Sequence, residues 1–318
     1  MGVWRDINAP DKATLEGFRT PQFMIDELDV CERDDFDYAR HIGVQPTGGL
    51  ATGRVVTRIT VTNCCTGKAT EDAVKRVVRH SIPTLRSISV KGHYGRYRTG
   101  RARVAPIIGE LVPVSSKKHR VAPRLTRVTL SDGSTGVVKV GKAIAVGLWP
   151  ALEKLSLSHC RANAGHFKEL AHGLSTGRAP NLRVLNWDDQ SSIRETPVDD
   201  VILSTLSARR CPLIERLSFT RNYFCPEYGV CFLRGALRGC RSLRKLSMDC
   251  SRQPHNELRA LADALQVGYA PNLEYLFVRA TARFSSESDI ALKALRQATA
   301  AMRFPVRLKS RIKTRLRP

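Results

Sequence analysis

Three short stretches place reactive side chains at spacings that catalysis uses. Gly136, Gly141 and Lys142 are spaced as in a phosphate-binding loop, whose backbone N–H groups cradle phosphates beside a Mg²⁺-binding hydroxyl. Ala143 stands where that Ser or Thr hydroxyl is needed, so nucleotide hydrolysis is not expected. Gly173, Ser175 and Gly177 spell the G-x-S-x-G pattern of a serine esterase. That elbow needs a strand before the serine and a helix after it. Here a helix-like stretch comes before and a strand-like one after, so Gly177 reads instead as a helix C-terminus. His159 and Cys160 pair a base with a thiol, but neighbours in a strand or turn point apart. The nine cysteines include no C-x-x-C pair, and the eight histidines do not join them at zinc spacings. Neither a metal, a cofactor nor a small-molecule substrate is expected, and the chain reads as a binder, not an enzyme.

Binding chemistry is better supplied. Lys and Arg number 52 against 29 Asp and Glu, a formal charge of +23, which argues for anionic partners. Tyr94 and Tyr97 lie among Arg96, Arg98, Arg101 and Arg103. Guanidinium on phosphate and ring on base is how single-stranded RNA is held, although a solvated surface loop has the same composition. Near the C-terminus, Arg307, Lys309, Arg311, Lys313, Arg315 and Arg317 recur at period two. This spacing puts every cation on one side of an extended strand. Residues 303–318 are either an edge strand or a basic arm.

These cations need a scaffold, and the chain repeats one strand-sized phrase, apolar-x-x-apolar-x-apolar. It starts at Val56, Leu85, Leu125, Leu152, Leu182, Ile214, Leu243 and Leu273, so successive starts lie 29, 40, 27, 30, 32, 29 and 30 residues apart. A fixed period in this range predicts a solenoid, in which no unit buries its apolar face alone. Helix-like stretches such as 166–174 and 256–265 fill the intervals, with Leu258, Leu261, Ala262 and Leu265 at helical spacing. The 40-residue interval holds a basic insertion near 91–120.

The phrase resembles the leucine-rich repeat of the ribonuclease-inhibitor-like subtype over residues 54–302. Lead-ins such as Pro180-Asn181-Leu182 and Pro271-Asn272-Leu273 support this, as do Cys64, Cys160 and Asn222 three residues past the last strand apolar. The resemblance implies an α/β horseshoe with a parallel sheet on the concave face and helices on the convex one. It also implies a protein-interaction module. The family's inhibitor meets basic ribonucleases through an acidic surface, so this basic chain is not expected to inhibit them.

Alternation puts the phrase's third and fifth positions on the concave face. The third column holds Arg58, Ser87, Arg127, Lys154, Val184, Arg216, Lys245 and Tyr275. The fifth holds Thr60, Ser89, Thr129, Ser156, Asn186, Ser218, Ser247 and Phe277. The second column alternates in sign over Glu153, Arg183, Glu215, Arg244 and Glu274, which predicts a cross-strand ion-pair ladder. Partner binding is therefore expected at Arg58, Arg127, Lys154, Arg216, Lys245, Tyr275 and Phe277, with an acidic protein surface as the ligand. The alternative ligand is RNA or a ribonucleoprotein, held also by Tyr94–Arg103, Arg311, Lys313 and Arg315.

Residues 1–50 read as a non-repeat segment with an acidic middle, Asp26 to Asp37. It is either a cap on the first unit or a lid over the basic face. No apolar leader and no membrane-length run occurs, so the expected compartment is the cytoplasm, with the nucleus as the alternative.

Overall fold

The computed structural model describes residues 27–31, 56–62, 68–91, 104–112, 121–131, 134–160, 164–188, 211–220, 234–235, 237–250, 254–280, 286–302 and 307–312. The strands are β1 (Glu27–Cys31), β2 (Arg58–Thr62), β3 (Ser87–Lys91), β4 (Arg127–Ser131) and β5 (Lys154–Ser158). Next come β6 (Val184–Asp188), β7 (Arg216–Phe219), β8 (Lys245–Cys250), β9 (Tyr275–Ala280) and β10 (Arg307–Ile312). Six helices are described between them: α1 (Lys68–Ser81), α2 (Val104–Gly109), α3 (Ser134–Ala145), α4 (Ala164–Ser175), α5 (Pro254–Gln266) and α6 (Ser286–Ala300). The fold is α/β, with all ten described strands in one parallel sheet, side by side in chain order.

The register follows the phrase. From β2 to β9 each strand begins at the third phrase position, and third pairs with third throughout. One backbone contact recurs at every step. The second-position carbonyl of one strand accepts both the second- and third-position N–H groups of the next. Thr57 O thus serves Arg86 and Ser87, Glu153 O serves Arg183 and Val184, and Arg244 O serves Glu274 and Tyr275. Asn181 Nδ2 and Asn272 Nδ2 each donate to a carbonyl of the preceding unit, on Pro150 and Arg241, both at 3.0 Å. The Pro-Asn lead-in is therefore a tie between neighbouring units.

Strand side chains alternate in burial. Ile59 and Val61, Ile88 and Val90, Leu155 and Leu157, and Leu185 and Trp187 are buried with apolar residues of all six helices in one core cluster. The residues between them along each strand stay half-buried or exposed. The described helices therefore cover one face of the sheet and leave the other open. Part of the basic insertion joins the covered side, since Ile107, Ile108 and Leu111 are fully buried.

Both chain ends add strands beyond the eight phrases. β1 pairs with β2 in the common register, Glu27 opposite Arg58. Residues 1–50 were read as non-repeat, yet Ile25, Leu28 and Val30 spell the phrase 31 residues before Val56. The acids between them disguise it. At the other end, β10 resolves the choice between edge strand and arm for residues 307–312, which pair with β9. Its phrase is degraded, with Pro305 and Ser310 at apolar positions, so only pairing could reveal its register.

The two catalytic look-alikes have packing roles. Residues 136–143 lie wholly inside α3, so no phosphate loop forms there. A Cβ on Gly141 would fall 2.4 Å from the Glu169 carbonyl oxygen, and one on Gly173 would fall 2.3 Å from the Gly141 carbonyl oxygen. These glycines let α3 and α4 meet backbone to backbone. Gly177, just past α4, has φ +72°, the left-handed conformation of a helix C-cap.

Candidate binding face

The open face is built by strand alternation alone, so each candidate side chain is placed by its own phrase. In the third column Arg58, Arg127, Arg216 and Lys245 are exposed, while Lys154, Val184 and Tyr275 are half-buried. Register sets Arg127 beside Lys154 and Arg216 beside Lys245, on strands about 4.8 Å apart. Like charges directly opposite one another are destabilising. Among the described residues no ion pair offsets these four cations. Arg58 differs, since Glu27 occupies the paired position on β1.

The fifth column is less free than its sequence suggests. Asn186 Nδ2 donates to Ser156 Oγ at 3.1 Å. Ser218 Oγ donates to Asp188 Oδ1 at 2.7 Å, and the same oxygen accepts the N–H and hydroxyl of Thr220 at 2.8 and 2.9 Å. These two hydroxyls serve the sheet. Thr129 and Ser247, beside Arg127 and Lys245, remain half-exposed on the open face.

A further column, two residues past the fifth, carries polar groups that sequence reasoning missed. Asp188 organises Ser218 and Thr220, and Arg279 donates from Nε to Asp249 Oδ2 at 2.8 Å. Asp249 is 6% exposed and Arg279 23%. Their signal was present, since alternation continues past the phrase and register pairs them.

The second column behaves as its alternating signs predict for two pairs. Arg183 meets Glu215 at 2.5 Å, and Arg244 meets Glu274. The Glu274 carboxylate, by hydrogen bond and charge, holds the Arg244 guanidinium above its ordinary value. Four side chains of that column are thus engaged in cross-strand ion pairs, whereas no such pair is described for the third-column cations Arg127, Lys154, Arg216 and Lys245.

The aromatic end sits between two cation strands. Tyr275 and Phe277 are half-buried on β9, with Lys245 and Ser247 in register on β8 and Arg307 and Lys309 on β10. Tyr94, Arg96, Tyr97, Arg98, Arg101, Arg103, Lys313 and Arg315 lie outside the described residues. Arg311 lies on β10, in register with Arg279.

The described thiols are ill suited to attack. Cys160 is buried, with its Sγ directed at the Leu130 and Ser158 carbonyls. Cys211 and Cys240 fill buried lead-in turns, where their carbonyls accept the N–H of Ile214 and Leu243. Burial pushes the Cys211 thiol up to about 11. Burial and the neighbouring Cys211 push Cys240 up to about 12. Thiolate is the reactive form, so in the native protein Cys211 should alkylate on the order of a hundredfold slower than after unfolding, and Cys240 on the order of a thousandfold slower. Mass spectrometry after timed iodoacetamide labelling at pH 8 reads this, and equal rates would place them at the surface. An unfolded thiol ionises near 9.0, so above that pH the unfolded state sheds protons first. Their contribution should thus lower stability as pH rises from 9 toward 11–12, and be flat below 9.

Among the described residues no three His, Cys, Asp or Glu side chains are grouped to hold a metal ion. Nor is any helix among them long and apolar enough to cross a membrane. Compared with protein-family models and with curated proteins, the chain matches none.

Proposed function

We propose that the protein is a leucine-rich-repeat horseshoe of the ribonuclease-inhibitor-like kind, acting as a non-catalytic adaptor for a partner with an acidic surface. Strands in chain order, one per phrase, and the Asn ties between units support the repeat reading. Strands about 4.8 Å apart backed by helices about 10 Å apart would curve the stack with the open face inside. The observation that carries the binding role is two in-register cation pairs, Arg127 with Lys154 and Arg216 with Lys245, that no ion pair among the described residues offsets. An acidic partner relieves that repulsion, and electrostatic complementarity gives it speed and specificity. The cytoplasm is the compartment of this reading, with the nucleus as the alternative, and the thiols of Cys160, Cys211 and Cys240, which form no disulfide, suit a reducing one.

Reversal of all four cations to Glu should weaken capture of the partner from nuclease-treated lysate by about a hundredfold or more. Unchanged capture by a folded variant would remove the open face from the binding role. One observation favours a second reading, RNA binding. Arg307 and Lys309 stand in register beside Tyr275 and Phe277, and cation beside aromatic suits stacked bases. Under that reading nuclease abolishes capture, and affinity falls steeply with salt.

A further inference from the structure

The two edges of the sheet are opposite in charge and alike in register. β1 pairs through one edge with β2, and β10 through one edge with β9, which leaves one edge of each without a described partner. The third and fifth register positions hold Glu27 and Asp29 on β1, and Arg307 and Lys309 on β10. The surrounding sequence sharpens the contrast. Residues 26–37 contain seven acidic residues, whereas the 29 residues after Asp289 contain nine Lys and Arg and no acid.

We propose that the β10 edge of one copy pairs, parallel and in the common register, with the β1 edge of a second copy. Continuing the register sets Arg307 opposite the second copy's Glu27 and Lys309 opposite its Asp29. The molecule already makes one junction of this kind, where β1 lies on β2 with Glu27 opposite Arg58. An edge strand is a ready template for another chain, and complementary charge selects which one. With a net charge of +23, copies repel over most approaches, and the acidic end reverses that sign locally. The contact is heterologous, so it leaves both outer edges open and extends into chains of copies.

Sedimentation of the full chain across concentration and salt tests this. Mass should grow with concentration at low salt and fall back to monomer at high salt, as screened ion pairs require. Two charge-reversed variants give the decisive comparison, E27K/D29K and R307E/K309E. Each alone presents like charges at both ends and should stay monomeric. An equimolar mixture should reassemble, because each variant's ends then complement the other's. A wild-type chain that is monomeric at every concentration overturns the proposal. So does assembly that either variant makes as well as wild type. Circular dichroism shows whether each variant is folded, and the salt dependence of the wild type stands without them.

Discussion

Gly173→Ala is expected to destabilise the protein by about 2 kcal/mol, although alanine is the better helix former. In an exposed helix the exchange gains about 1 kcal/mol. Here the added Cβ would lie 2.3 Å from the Gly141 carbonyl oxygen and 3.0 Å from its carbon. Those are backbone atoms, so no rotamer change relieves the clash and α3 and α4 must separate. Separation loosens Val140, Ile144, Leu170 and Leu174, all buried in the shared core. Overpacking of this kind costs about 1–3 kcal/mol, which outweighs the propensity gain. Gly141→Ala should behave alike, since its Cβ would meet Glu169 backbone at 2.4 Å. The double variant should lose less than the sum, because one displacement relieves both clashes. Urea unfolding followed by circular dichroism and by tryptophan fluorescence decides it. A Gly173→Ala protein more stable than wild type would mean the helices do not meet there.

The second large effect is expected at Arg279. Arg279→Met should lower stability by about 3 kcal/mol, because it leaves the Asp249 carboxylate buried without its cation. Asp249 is 6% exposed, and the guanidinium binds it through Nε and an Nη nitrogen. Removing both charges is a different experiment. Asp249→Asn combined with Arg279→Met should recover most of the loss, since an isolated buried charge costs far more than a missing pair. A double-mutant cycle read by the same unfolding curves gives the coupling. Additive losses would show that the carboxylate draws no support from Arg279. Damage should concentrate at the β8–β9 step, where hydrogen exchange of Asp249 and Arg279 neighbours would rise first.

The open face shows how far a linear reading reaches. Phrase position alone placed Arg127, Lys154, Arg216 and Lys245 on one face, because strand alternation is a local property. It also anticipated that Arg183 and Glu215 pair across strands, since equal spacing puts equivalent positions side by side. The same alternation put Ser156 and Ser218 on the open face, where Asn186 and Asp188 hold them within the sheet. Their partners lie 30 residues away, and only the stacking distance between units decides whether the hydrogen bond closes. Asp249 and Arg279 were passed over because they lie beyond the last apolar of the phrase, where no period marks them.

The N-terminal segment failed to show its strand for a related reason. Ile25, Leu28 and Val30 satisfy the pattern, but three acids interleave with them and no clear phrase precedes them to set a period. The C-terminal strand lacked two of its three apolar positions, so pairing with β9 had to choose its register.

What the sequence by itself determined is the unit: where each strand begins, which side chains enter the core, and which cations share a column. Those follow from period two within a strand and a near-constant interval between strands. What the tertiary structure alone decided is how units meet: the glycine contact of α3 with α4, the buried Asp249–Arg279 pair, and the edge positions of β1 and β10. Such contacts depend on the distance between backbones some thirty residues apart, and no local pattern encodes a distance.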